Sequence, residues 1–231
     1  MRLQDFSRDD LLNYWYEKHY QDFTYNKYTK IFQKYFHSKL ETKKFASTQN
    51  CLTLEIAANM GEHLIFVEDK SNYYMLDRNL NISKKIQSIQ SNYIFGDGYL
   101  LPFKDNTFDR IVITCLLHHV PYPDRILKEV RRTLKPNGNL SLFLPSDPGF
   151  LFRLVKKVGR IHLKRSKVME LKKVVDAYDH IGNVWSLSNI ITHIFSEDIV
   201  RVKKYPFNFA SFDLNLFSVY QIQVNKSGLS S

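Results

Sequence analysis

Four polar side chains, Glu55, Asp77, Asp97 and Thr114, each stand at or just beyond the end of a short apolar run, and His118 and His119 follow the last of them. Such a series can serve one polar ligand laid across several strand ends. A carboxylate closing the second strand can grip both hydroxyls of a ribose. An acid after the third can accept from an adenine amino group, and histidines after the fourth can take or give a proton near neutral pH. Gly61, in the stretch LEIAANMGEH, opens an expected helix whose first free amides favour a carboxylate or another anion. Aspartates beside turns are common, because Asp satisfies loop amides and caps helices. Their succession, one per strand end, is what points to a shared ligand.

The elements that must position these residues are legible from Cys51 onward. CLTLEI, NYYMLD, NYIF and FDRIVITC read as four strands, and the segment after Gly61 as a helix. PDRILKEVRRTL reads as a helix with Ile126, Leu127, Val130 and Leu134 on one side, KPNG as a turn and NLSLFL as a fifth strand. Strands alternating with helices imply right-handed βαβ units and a mostly parallel sheet with helices on both faces. After Pro145 the alternation stops. Gly149 to Lys173 has the spacing of one or two amphipathic helices, and Trp185 to Phe195 that of another. IVRVKKY and LNLFSVYQIQV pair as a hairpin around the Pro206 loop. Residues 7–20 and 24–40 read as helices, the first capped by Ser7 with Asp9 and Asp10 in its first turn. Their aromatics, among them Tyr14, Trp15, Tyr16 and Tyr20, form either a face packed on the main domain or a lid whose tyrosines touch ligand.

A chain of 231 residues holds one sizeable core. Its 44% hydrophobic and 24% charged residues are ordinary for a soluble globular protein. Cys51 and Cys115 lie inside apolar runs and are expected to be buried free thiols, with no disulfide or metal-ligand spacing. The polar start MRLQDFSRDD argues against a secretory signal, and no apolar run approaches the ~18 residues of a membrane span. A cytoplasmic location is the expectation. The net charge of +10 is concentrated. Arg153, Lys156, Lys157, Arg160, Lys164, Arg165, Lys167, Lys172 and Lys173 are opposed only by Glu170, which suits a local anionic partner.

From Gly96 to Pro145 the sequence resembles the core of class I S-adenosylmethionine-dependent methyltransferases, in their small-molecule branch. The matching residues are Asp97, Leu101-Pro102-Phe103, Phe108-Asp109, Leu117-His118-His119 and Lys135-Pro136-Asn137-Gly138. The resemblance covers about residues 50 to 146. It implies an α/β, Rossmann-like, seven-stranded mostly parallel sheet with an antiparallel last strand, and S-adenosylmethionine as cofactor. By that resemblance Glu55 and the turn after it, with Ala57, Asn59 and Gly61, would hold the methionine part. Asp77, followed by Arg78, would take the ribose, and Asp97 with Gly98 the adenine end. Thr114 and Cys115 would line the floor beneath the sulfonium. His119 would face the methyl group and the acceptor. His118 is a further catalytic candidate, as is His180, whose Asp179-His180 step with Asn183 nearby is similar to one in methyltransferases with this kind of C-terminal half.

The family writes acid-x-Gly-x-Gly-x-Gly where this chain has Glu55-Ile56-Ala57-Ala58-Asn59-Met60-Gly61. Asn tolerates a left-handed backbone better than other non-glycine residues, so Asn59 is expected to keep the turn. Ala57 adds one methyl where backbone comes closest to ligand, at a cost on the order of 1–3 kcal/mol if the site cannot relax.

These readings give one methyltransferase domain over residues 1–231. Its parts are an N-terminal helical lid (1–48), a cofactor core (49–146), a helical insertion after the fifth strand that covers the acceptor (147–198) and a C-terminal hairpin (199–226). The expected acceptor is a small molecule methylated on oxygen or nitrogen, such as a phosphorylated or nucleotide-linked sugar of surface-polysaccharide biosynthesis. Residues 151–173 can alternatively lie on an anionic membrane surface, or be simply solvated. A non-catalytic scaffold with a degenerate turn, and an RNA methyltransferase, are the competing classes. Nucleic acid fits the charge, but the aromatics are not interleaved with the basic run.

Overall fold

The computed structural model describes residues 6–20, 27–41, 50–79, 92–159 and 167–226. Its centre is one seven-stranded sheet: β1 (Thr53–Ile56), β2 (Tyr73–Asp77), β3 (Tyr93–Phe95), β4 (Phe108–Ile113), β5 (Leu134–Pro145), β6 (Ile199–Tyr205) and β7 (Phe217–Gln223). The strand order is β3-β2-β1-β4-β5-β7-β6. β1 to β5 pair in parallel, while β7 runs antiparallel to both β5 and β6. The order reverses between β1 and β4, so the crevice for a ligand lies beyond the carboxyl ends of those two strands.

Each face of the sheet has its own cover. Leu54, Ile56, Ile111, Ile113, Leu140, Leu142 and Ile222 form one buried face. The same cluster includes Ile126, Leu127 and Val130, from the helix Pro123–Thr133, and Leu187 and Ile191, from the helix Val184–Ile194. The first of these helices starts with Pro123 at a helical N-terminal position, where its missing N–H costs nothing. On the other face the helix Lys27–Leu40 lays Phe36 on Phe143, ring centroids 4.1 Å apart. Beneath that helix runs a buried polar chain. Arg110 donates to Ser141, Glu41 and the Leu40 carbonyl, Glu41 meets His63 at 2.8 Å, and His63 meets His37. It fixes the helix end to the sheet by satisfied hydrogen bonds, beside the apolar packing of Phe36 and Leu40 on Phe143 and Phe217.

The motif residues of the second half are mostly anchors. Asp109 accepts from the Leu52 amide and pairs with Lys135 at 2.8 Å. Glu129 accepts from Leu101 N, and Arg132 donates to the Leu101 and Phe103 carbonyls, so the Leu101-Pro102-Phe103 stretch is clamped to a helix. The KPNG segment bulges out of β5, whose register against β4 jumps from Leu134 to Asn139.

Two expectations are corrected. The segment after Gly61 is a five-residue 3₁₀ turn, Glu62–Phe66, not a helix, because His63 turns inward to Glu41 and His37 and Val67 resumes extended backbone. An anion site at a helix N-terminus is therefore not built there. Cys115 is exposed and Cys51 half-buried rather than both buried, since β4 ends at Ile113 and the chain leaves the sheet at Cys115. The basic run is only partly visible: Arg160, Lys164 and Arg165 lie outside the described residues. Phe23 and Tyr25 also lie outside them. Among the described residues no helix is long and apolar enough to cross a membrane.

Candidate active site

The turn after β1 keeps the backbone of a glycine-rich loop without the glycines. Ala57, Asn59 and Gly61 have φ of 58°, 45° and 74°, all left-handed. An L-residue other than Gly or Asn there costs roughly 1–2 kcal/mol, so Ala57 is the strained member. The turn is held from several sides. Ala58 N donates to Leu76 O, Asn59 N donates to the Asp77 carboxylate at 2.9 Å, and Tyr93 OH donates to Asn59 O at 2.7 Å. The Asn59 side chain donates to Glu62 and to Tyr20 OH, joining the turn to the N-terminal segment. A Cβ at Gly61 would come within 3.2 Å of Met75 Sδ.

The carboxylates differ in access. Asp77 is half-buried, with its second oxygen accepting from Asn79 N, and Arg78 beside it is exposed. Asp97 is exposed at the end of β3, where it accepts from Tyr99 N, and Gly98 sits over Ile56 and Ile126. Glu55 is 1% exposed. Burial pushes its carboxyl up to about 8, against hydrogen bonds from Tyr73 and Thr114. Its carboxyl is thus enclosed by Tyr73 and Thr114. Thr114 is likewise buried, 6% exposed.

Past β4, the 3₁₀ turn Leu117–His119 meets the insertion. The rings of His118, His119 and His180 lie 4.0, 4.8 and 5.0 Å apart in pairs. His119 Nδ1 is 3.1 Å from Asp179, which also accepts from Tyr16 OH at 2.8 Å. Burial lowers the His119 imidazole, but the Asp179 carboxylate and neighbouring Cys115 outweigh it and raise it to about 10. Burial, with His119 and His180 alongside, lowers His118 far below the usual imidazole range. His180 is also lowered by burial, although Asp147, at 3.5 Å, opposes this. Asp147 in turn pairs with Lys156 at 2.9 Å. A cavity of about 320 Å³, lined by Asp147, Lys156, Asp176, His180 and Asn183 among others, opens beside the cluster.

The helix Arg8–Lys18 packs Leu11 and Trp15 against Leu171 and Val175 of the helix Lys167–Asp179. Its aromatics thus divide. Trp15 is core, while Tyr16 reaches the histidine cluster, and Tyr20, just beyond the helix, reaches the turn. Asp147 is the site residue that sequence reasoning did not name, and Tyr16 was named there only among the aromatics of the N-terminal segment. Asp179 alone had a signal, its step with His180.

The strand order is that of the methyltransferases with which the chain superposes. Residues 48–142 match the family described as a methyltransferase domain. A demethylmenaquinone methyltransferase of Lactobacillus johnsonii is 34% identical over 128 residues, 50% of each chain. The ubiquinone/menaquinone biosynthesis C-methyltransferase UbiE of Haemophilus ducreyi is 37% identical over 94 residues, 36% of this chain and 34% of that protein. The chain thus spans half or less of the length of these curated relatives. Among solved structures, a SAM-dependent methyltransferase of Thermotoga maritima superposes with a TM-score of 0.59 at 19% identity, covering 89% of this chain and 98% of that one. The plantazolicin methyltransferase BpumL, solved with SAH, gives 0.64 at 12% identity over 95% and 96%. These likenesses show the fold.

Proposed function

We propose that this chain transfers a methyl group from S-adenosylmethionine to a small-molecule acceptor that gives up a proton. The observation that carries the reading is the turn after β1, left-handed at Ala57, Asn59 and Gly61 and latched to Asp77. The residues fit the cofactor. The turn backbone would face its methionine part. Asp77 uses two acceptor positions on backbone amides, and a carboxylate has about four, so it retains capacity for a ribose diol. Asp97 and Gly98 would meet the adenine end, with Thr114 and Cys115 as floor.

Bound S-adenosylmethionine supplies a methyl group already activated on a sulfonium sulfur. The protein's share is then to orient the acceptor, exclude water and receive its proton. His180 is the residue we assign to the proton. It lines the cavity, whereas His118 is sealed and His119 has one nitrogen against Asp179. Tyr16 and the helix Arg8–Lys18 would close the acceptor side.

For the acceptor, an oxygen or nitrogen atom on an anionic molecule, including a phosphorylated sugar, goes with Lys156 in the cavity wall. A quinone ring is the second reading, favoured by the names of the relatives and by the helix Phe150–Gly159. That helix exposes Phe150, Leu154 and Val158 beside Arg153 and Lys157, a composition suited to resting on an anionic membrane surface. A cytoplasmic location goes with either. The test is transfer of radiolabelled methyl from S-adenosylmethionine to a panel of phosphosugars, amines and demethylated quinones. Label in one class names the acceptor. Absence of transfer together with absence of cofactor binding would favour a scaffold, and steeply salt-dependent RNA binding would favour an RNA substrate.

A further inference from the structure

We infer that Cys115, His118 and His119 form a binding site for one zinc ion, with a fourth coordination position for an exchangeable ligand. The site itself stands without the methyl-transfer reading; only the use of its open position rests on that reading.

The placement follows from the end of β4. The chain leaves the sheet at Cys115 and coils once through Leu117–His119, so residues at i, i+3 and i+4 come to one side. Cys115 Sγ is 3.6 Å from His118 Nε2 and 4.0 Å from His119 Nε2, and the three donor groups all lie within 4.8 Å of one another. A tetrahedral ion with bonds of about 2.3 Å to sulfur and about 2.0 Å to nitrogen needs S···N edges of about 3.5 Å, so small side-chain shifts close the site. One thiolate and two imidazoles suit zinc and not magnesium or calcium, which take oxygen ligands.

The surroundings are those of a metal-bound histidine. His119 turns its Nε2 edge to the sulfur and its Nδ1 to Asp179, 3.1 Å away, and Asp179 is fixed by Tyr16 OH. A carboxylate behind a ligating imidazole orients the ring and raises its basicity. His118 is 3% exposed, and among the described residues its Nδ1 has no hydrogen-bond partner. Its other nitrogen, Nε2, faces the Cys115 sulfur at 3.6 Å and is the one that would hold the ion. Cys115 is exposed, which gives an ion a way in.

Three protein ligands plus one exchangeable position is the pattern of reactive rather than structural zinc. An acceptor thiol, hydroxyl or ionisable nitrogen placed there would lose its proton more readily, with His180, whose ring lies 4.8 Å from that of His119, to receive it.

The test is cobalt(II) titration of the chelator-treated full chain, followed by displacement with zinc against a chromophoric chelator. The expected result is a thiolate-to-cobalt charge-transfer band with strong tetrahedral visible bands, and one zinc per chain. Cys115→Ser should lose the band. Asp179→Asn should keep it while weakening zinc about 10- to 100-fold. Visible bands without the sulfur band would move the ion to the neighbouring His119, Asp179 and His180 group and overturn the assignment, as would zinc affinity unchanged in Cys115→Ser. S-adenosylhomocysteine (SAH) binding is measured on the same preparation. SAH bound without zinc overturns this inference and spares the methyltransferase reading. Zinc bound without SAH upholds the site and removes methyl transfer.

Discussion

The backbone amide of Asn59 donates to the carboxylate of Asp77 at 2.9 Å, so the turn after β1 and the acid at the end of β2 form one mechanical unit. The acid expected to read the ribose also holds the loop expected to cradle the methionine. Asp77→Ala should therefore do two things. SAH affinity should fall by about 100-fold or more, since each hydrogen bond to a charged group contributes about 1.5–3 kcal/mol. Stability in urea should also fall, by about 1–3 kcal/mol, as two backbone amides lose their acceptor. Calorimetry and urea melts check both, and unchanged affinity would remove Asp77 from the site.

Ala57 stands at φ 58°. Ala57→Gly should raise the unfolding free energy by about 1 kcal/mol and leave SAH affinity equal or higher, because it relieves left-handed strain and removes a methyl from the crevice. Ala57→Val should lose stability. A destabilised glycine variant would mean that the strain lies elsewhere.

Glu55 gives a pH dependence whose sign can be worked out. Its folded value of about 8 is above the unfolded 4.5, so its contribution to stability is complete below about pH 4.5 and is lost as pH rises toward 8. Burial, with His63 beside it, pushes His37 down to about 3, so its contribution holds above pH 6.5 and is lost as pH falls toward 3. Glu55→Gln keeps the hydrogen bonds without the charge. The unfolding free energy of the variant, relative to the native chain, should grow across pH 4.5–8 by up to about 1.4 kcal/mol per pH unit. A constant difference over that range would show that Glu55 does not titrate there.

His180→Gln should lower kcat/KM about 10²- to 10⁴-fold, the range for a proton-transfer residue, while SAH binding stays the same. Tyr16→Phe removes the hydroxyl that holds Asp179 and should raise KM for the acceptor more than it lowers kcat. Steady-state kinetics with the identified acceptor separate the two. A cofactor-binding defect in His180→Gln would place that residue on the wrong side of the crevice.

The sheet was legible because its signals are local: short apolar runs, Pro123 opening a helix, KPNG before a strand and a hairpin at the end. The strand-end acids were legible for the same reason. What sequence could not reveal depends on distant partners. Glu55 reads as a ligand until Tyr73 and Thr114 are seen to enclose it. The expected helix after Gly61 gave way because His63 is drawn inward by Glu41 and His37, twenty or more residues earlier. Cys115 continues an apolar run in sequence, yet the strand stops two residues before it. The histidine triangle joins His119 to a residue on the far side of the insertion, and no periodicity reports that meeting.

The most direct test of the central claim, that the strand ends around the Ala57–Gly61 turn hold an adenosyl cofactor, is calorimetric titration of the full chain with SAH. Saturable one-to-one binding that is largely lost in Asp77→Ala is the predicted result. No binding heat at millimolar SAH would contradict the account.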